Sequence, residues 1–154
     1  MKILIAMPSK ALKEASITEG LNYLSHIRRP LSATALFTSP KNIFGEEERL
    51  KRIEAEGAEL LQKAKDYYKI ALCVDSKAYT TQDFKSCLEK LMLKESKIAF
   101  IIGGAFGLSE EVIKNCQARL SLSSFTMPHR LAFLVLSEQL FRVSEIMRNT
   151  NYHK

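Results

Sequence analysis

The sequence predicts an α/β fold with a mainly parallel sheet flanked by helices, because apolar runs of strand length alternate with longer amphipathic runs along the whole chain. Two further observations agree. No repeat, low-complexity tract or long linker divides the 154 residues, which form one domain able to bury about 70% of its unfolded surface. The apolar run Lys97 to Ile102 leads straight into Gly103-Gly104-Ala105-Phe106-Gly107, and a helix follows from Ser109.

Taken in order, Lys2 to Met7 is a short buried strand. Lys10 to His26 is a helix with Leu12, Ala15, Ile17, Leu21 and Leu24 on its apolar side, and Arg29-Pro30 ends it. Leu31 to Thr38 alternates as a second strand, closed by Ser39-Pro40. Glu46 to Asp66 is a long charged helix. Its pairs Glu47/Lys51, Glu48/Arg52 and Glu59/Lys63 place the acid first at helical spacing, which reads as a solvated face.

Lys69 to Asp75 is the third strand, Thr81 to Lys94 a helix and Lys97 to Ile102 the fourth strand. Ser109 to Gln117 is a helix with Glu110 and Glu111 in its first turn, as the helix dipole prefers, and Arg119 to Ser123 is the fifth strand. Leu131 to Arg148 is the last helix. Its apolar positions Leu131, Leu134, Val135, Leu140, Phe141, Val143 and Ile146 cover more than one stripe, so it is expected to face both a core and a second subunit. Ligands of parallel sheets sit beyond the carboxyl ends of the strands, here Asp75, Gly103 and Ser123.

The formal charge of +6 is uneven: residues 1–45 and 114–154 carry +4 each and residues 46–113 carry −2. If the two ends share a face, that face attracts a polyanion, of which RNA is the commonest in the cytoplasm; charge alone is equally met by a need for solubility. Cys73, Cys87 and Cys116 form no C-x-x-C pair and read as small buried apolar thiols of a reduced, cytoplasmic protein. No apolar stretch is long enough to span a bilayer, and the start is not a signal peptide. Three scattered His residues and isolated Cys residues lack metal-ligand spacing, so no metal is expected.

The glycine run lets main chain approach a ligand, and together with Met127-Pro128-His129-Arg130 it suggests a cofactor pocket made of backbone. Two phosphate-binding readings fail. Gly107-Leu108-Ser109 lacks the lysine of a Walker loop, and G-G-x-x-G at the fourth strand is not the dinucleotide fingerprint of a first strand. On the motif alone, a tight strand-to-helix turn with no ligand stands equal to a binding loop.

Ile102-Gly103-Gly104 with Gly107-Leu108, Ser121-Leu122-Ser123 leading to Met127-Pro128-His129, Glu138-Gln139 with Arg142, and the terminal Tyr152-His153-Lys154 occur at family spacing. In these residues the chain resembles the RlmH family, ribosomal RNA large-subunit pseudouridine methyltransferases of the SPOUT superfamily. The resemblance is strongest from Phe100 to Lys154, and weaker before it. It implies a SPOUT-type α/β knot, in which the C-terminal segment is threaded into a trefoil knot, and a homodimer. It also implies S-adenosyl-L-methionine as methyl donor, N3 of a pseudouridine in a 23S rRNA stem-loop as acceptor, and the assembled ribosome as substrate.

Carried onto this chain, the cofactor contacts are Leu72, Gly103, Leu122, Ser123, Ser124, Phe125, Thr126 and Met127. Residue chemistry alone assigns Leu72, Leu122 and Met127 to ordinary core. A sulfonium methyl needs no metal or covalent nucleophile, but N3 must lose its proton. His153 is the candidate to take or relay it, with Arg142 stabilising developing negative charge or a phosphate, and Tyr152 and Lys154 completing the tail. The opposing reading is a frayed, inert terminus. His129 reads as a structural residue that fixes its loop through a backbone hydrogen bond, and His26 as a helix C-terminal cation or phosphate contact.

The chain departs from the family at Asp75-Ser76-Lys77, where glycine is usual, and at Met7-Pro8-Ser9-Lys10, where Gly-Lys is usual. Competing functions are a SPOUT methyltransferase of another RNA nucleotide and a non-catalytic RNA- or ribosome-binding dimer.

Overall fold

The computed structural model describes residues 1–10, 12–42, 45 and 47–152. Five strands, β1 (Lys2–Pro8), β2 (Ser32–Thr38), β3 (Tyr68–Leu72), β4 (Lys97–Ile101) and β5 (Ala118–Leu120), alternate with five helices. These are α1 (Ala15–His26), α2 (Arg49–Lys63), α3 (Thr81–Met92), α4 (Glu110–Lys114) and α5 (His129–Met147). The sheet order is β2-β1-β4-β3-β5, and every pairing is parallel.

Strand alternation sorts the core into two layers. Ile3, Ile5 and Met7 of β1 and Ile98, Phe100 and Ile102 at β4 face Ile17 and Leu24 of α1, Phe84 and Leu88 of α3, and Phe133, Leu136, Leu140 and Val143 of α5. Leu4, Ala6, Ala99 and Ile101, one residue out of phase, face Leu60 and Ala64 at α2 and Val112 of α4. Both faces of the sheet are therefore covered, as an all-parallel sheet requires.

The order of elements agrees with the sequence reading, and the boundaries differ where the chain makes tertiary contacts. α1 begins at Ala15 rather than Lys10 because Glu14 is still extended. The preceding loop is tied down by Ser9 N–H to the Thr38 carbonyl at 3.0 Å, by Lys10 Nζ to Asn42 Oδ1 at 3.1 Å and by the ion pair Arg130–Glu14. β3 stops at Leu72 rather than Asp75, since Cys73 N–H still reaches the Leu120 carbonyl but Ser76 N–H turns back to that of Cys73. β5 ends at Leu120 and α4 at Lys114, both shorter than expected.

The residues of the three expected pairs at α2 are exposed or partly buried, but the ion pairs that form are different ones. Lys51 pairs with Glu48, Lys41 with Glu59, and Arg52 with Glu56, whose residue is only 4% exposed. The helical period explains it: Ile53, Glu56, Gly57 and Leu60 form one buried stripe. Among the described residues no helix is long and apolar enough to cross a membrane, and no cluster of His, Cys, Asp and Glu could hold a metal ion.

Candidate cofactor cavity

The carboxyl ends of β3, β4 and β5 open into a cavity of about 660 Å³, a volume suited to a nucleoside-sized ligand. Three loops wall it. After β3 come Leu72, Cys73 and Val74; after β4, Ile102 to Gly107; after β5, Ser121 to Ser123 and Phe125 to His129. The walls are mostly apolar, and none of the lining residues is acidic.

The β4 loop folds on itself. Gly107 N–H donates to the Gly104 carbonyl at 3.1 Å, and Gly107 has φ +81°, a left-handed conformation open to glycine. A Cβ built on Gly103 would overlap the backbone of Gly107. Glycine at 103 is therefore required by the loop's own close packing, and Gly103 also lines the cavity. Ser109 then caps α4, accepting from Val112 N–H at 3.2 Å, with Glu110 and Glu111 in the first turn as expected.

The β5 loop is shaped by two serines. Ser121 Oγ donates to the Ser123 carbonyl at 2.8 Å, and Ser123 Oγ accepts from Phe125 N–H at 3.0 Å. Phe125 is held out at 81% exposure. Among the described residues no acceptor meets the amides of Leu122, Thr126 or Met127.

Of the eight positions expected to contact a cofactor, Leu72, Gly103, Leu122, Ser123, Phe125, Thr126 and Met127 line this one cavity. Ser124 does not, being the exposed corner of the serine turn. Arg49 from α2 and Cys73, which the sequence reading did not assign to the cavity, also line it, as do Phe106 and His129 from the two segments expected to form the pocket. Glycine loops and strand ends are visible in sequence, whereas a side chain arriving from a separate helix leaves no local signal.

His129 is half-buried on the wall, and no hydrogen bond from its ring to backbone exists among the described residues, contrary to expectation. Burial pushes its pKa below the usual value, with Glu56 pulling it back up. The three thiols are half-buried rather than fully buried, and burial raises each, Cys116 to about 11. Asp75 lies outside the cavity lining.

The tail residues gather elsewhere. Arg142 binds Glu138 through Nε at 2.9 Å and its terminal nitrogen at 2.5 Å, and its guanidinium lies 4.9 Å from the centre of the Tyr152 ring. Tyr152 OH donates to the same Glu138 oxygen at 3.3 Å, and its ring meets Phe141 edge-on at 4.8 Å. Tyr152 is thus packed rather than frayed. His26, whose Nδ1 is 2.8 Å from the Asn22 carbonyl, flanks Phe141 from α1. His153 and Lys154 lie outside the described residues. Arg142 follows His129 by 13 positions on α5, a rise of roughly 20 Å, so the structure does not bring the tail cluster into the cavity of its own chain.

Residues 1–153 match the family described as predicted SPOUT methyltransferase, the class to which an all-parallel sheet with a loop-walled cavity at its strand ends conforms. The chain is 36% identical over 149 residues to ribosomal RNA large subunit methyltransferase H of Listeria monocytogenes, covering 93% of this chain and 94% of that protein. It is 42% identical over 118 residues to the protein of that name from Bacillus cereus, covering 75% and 74%. The chain belongs to the ribosomal RNA large subunit methyltransferase H family of SPOUT methyltransferases.

Solved structures agree in fold. A probable methylase family protein of Haemophilus influenzae superposes with TM-score 0.59 at 16% identity, covering 99% of this chain and 70% of that one. A Legionella pneumophila putative methyltransferase, solved with bound SAM, does so with TM-score 0.50 at 16% identity, covering 96% and 66%.

Proposed function

We propose that this chain is an S-adenosylmethionine-dependent methyltransferase of 23S rRNA that methylates N3 of a pseudouridine on assembled ribosomes in the cytoplasm. The observation that carries the reading is the loop-walled cavity at the strand ends. Its walls suit the cofactor: the faces of adenine are apolar and match Leu72, Ile102, Leu122 and Met127, while its edge needs backbone donors such as the amides of Leu122, Thr126 and Met127. The sulfonium is cationic, and a His129 kept neutral by burial does not repel it.

When bound, the cofactor supplies an electrophilic methyl group. The three loops hold it and limit access of water, and the chain must further orient the imide N3 and take its proton. Arg142 stays charged because its hydrogen bond to Glu138 raises its pKa, and its N–H groups not held by Glu138 are assigned to the developing negative charge of the imide or to a phosphate. Tyr152 lies beside Arg142 at the start of the tail, and His153 is assigned as the proton acceptor.

Because α5 separates the tail from its own cavity, the working unit is a homodimer in which the tail of one copy serves the cavity of the other. In support, Leu131 is 42% exposed and Leu134, Val135, Phe141 and Ile146 are only partly buried, so α5 keeps a second apolar stripe. The trefoil knot belongs to the same proposal, supported by the return of the β5 loop across the β3 and β4 ends.

The test is incubation with ribosomes lacking the modification and labelled cofactor, followed by nuclease digestion and mass spectrometry. N3-methylpseudouridine in 23S rRNA is the expected product. Label on another nucleotide would reassign the substrate, and no label on any RNA would leave the non-catalytic dimer.

A further inference from the structure

Two arginines from α2 lie against one aromatic ring at the mouth of the cavity. The guanidinium carbons of Arg49 and Arg52 stand 4.9 Å and 5.3 Å from the centre of Phe106, which is 41% exposed at the tip of the glycine loop. Their environments differ. Arg52 is held by Glu56, Nε to Oε1 at 2.9 Å, with side chains 16% and 5% exposed, and the same Glu56 oxygen accepts from Lys41 N–H at 3.0 Å. Its charge is therefore neutralised in place. Arg49 is exposed, lines the cavity, and makes no ion pair among the described residues.

A guanidinium stacked on a ring presents its face to the aromatic and keeps its in-plane N–H donors directed outward. Arg49 lies over the Phe106 ring, 4.9 Å from its centre, which limits its freedom and leaves it able to donate to a phosphate. The α2 N-terminus, where Arg49 stands, adds a favourable dipole for an anion. Arg52 and Glu56 brace the Arg49–Phe106 contact, and Phe106 joins it to the loop that forms the cavity wall.

We infer that Arg49, lying over the Phe106 ring, is an RNA-phosphate contact that seats the substrate over the cavity, and that the Arg52–Glu56 pair is its structural support. This rests on the methyltransferase reading above, since it assigns the anion to the RNA rather than to the carboxylate of the cofactor.

The experiment measures co-sedimentation with unmodified ribosomes over a range of salt, beside calorimetric titration of S-adenosylmethionine, for the wild type, Arg49→Gln, Arg49→Lys and Phe106→Leu. Loss of one phosphate contact lowers the log-log salt slope by about 0.7 and weakens ribosome binding about tenfold. Arg49→Gln is expected to do both while cofactor affinity stays within about twofold. Arg49→Lys should restore the slope but only part of the affinity. Phe106→Leu should weaken binding at an unchanged slope, because it removes the orientation and keeps the charge.

Unchanged slope and affinity in Arg49→Gln would overturn the inference, as would a loss confined to cofactor affinity, which would assign Arg49 to the cofactor carboxylate. A wild type that binds ribosomes but no cofactor would sink the methyltransferase reading, while the salt slope would still decide the role of Arg49.

Discussion

Glu56 places its carboxylate where Gly104 has no side chain: a Cβ on Gly104 would stand 2.6 Å from Glu56 Oε2. A helix residue some fifty positions earlier thus fills the space behind the glycine loop and ties it to Arg52 and the Lys41 amide. A side chain at position 104 would therefore require the Glu56 carboxylate to shift.

Removing the carboxylate leaves a little-exposed guanidinium and an amide without their partner. Glu56→Ala is expected to destabilise the fold by about 3 kcal/mol, and Glu56→Gln by about half as much because the amide oxygen can still accept. Gly104→Val should cost a similar amount by displacing the carboxylate. Urea unfolding curves at pH 7 check all three.

His129 predicts a pH dependence. Its folded pKa is depressed, so the neutral ring's contribution is fully present above the unfolded value of about 6.5 and is lost as pH falls through the folded value. Stability should therefore drop on acidification below about pH 6.5. His129→Gln should flatten that part of the profile, and the His129 imidazole resonance in NMR should titrate below the ordinary value of about 6.5.

The thiols should be slow nucleophiles. Burial raises all three, most for Cys116, at about 11. At pH 7.5 each should react with iodoacetamide more slowly than a free cysteine, Cys116 slowest, and a bound cofactor should protect Cys73 alone because only it lines the cavity.

All ten elements were legible in sequence because each has its own apolar period, and the cavity was legible because strand ends and glycine loops are local features. The ends of elements were not. Ala15 rather than Lys10 starts α1 because the loop before it is pinned by Thr38, Asn42 and Arg130. Glu56 was not singled out in sequence, because the acid-first pairs drew attention to the solvated face, although its spacing from Ile53 and Leu60 marks a buried position. Arg49 and Phe106 could not be paired from sequence, since their meeting depends on how α2 crosses the strand ends.

The tail cluster yields a separable effect. Deleting Tyr152 to Lys154 should lower methyl transfer by about a hundredfold or more while leaving cofactor affinity within about twofold. Glu138→Ala, which releases both Arg142 and Tyr152, should lower transfer less. Single-turnover assays on unmodified ribosomes, run beside cofactor titrations, separate the two quantities.

The most direct test of the account is calorimetric titration of S-adenosylmethionine into the wild type and a Thr126→Trp variant, which adds bulk at an exposed cavity position without touching the Gly103–Gly107 fold. Saturable binding is expected in the wild type, with at least about a tenfold loss in a variant whose unfolding curve is unchanged. No binding to the wild type at millimolar cofactor, or equal binding to both proteins, would contradict it.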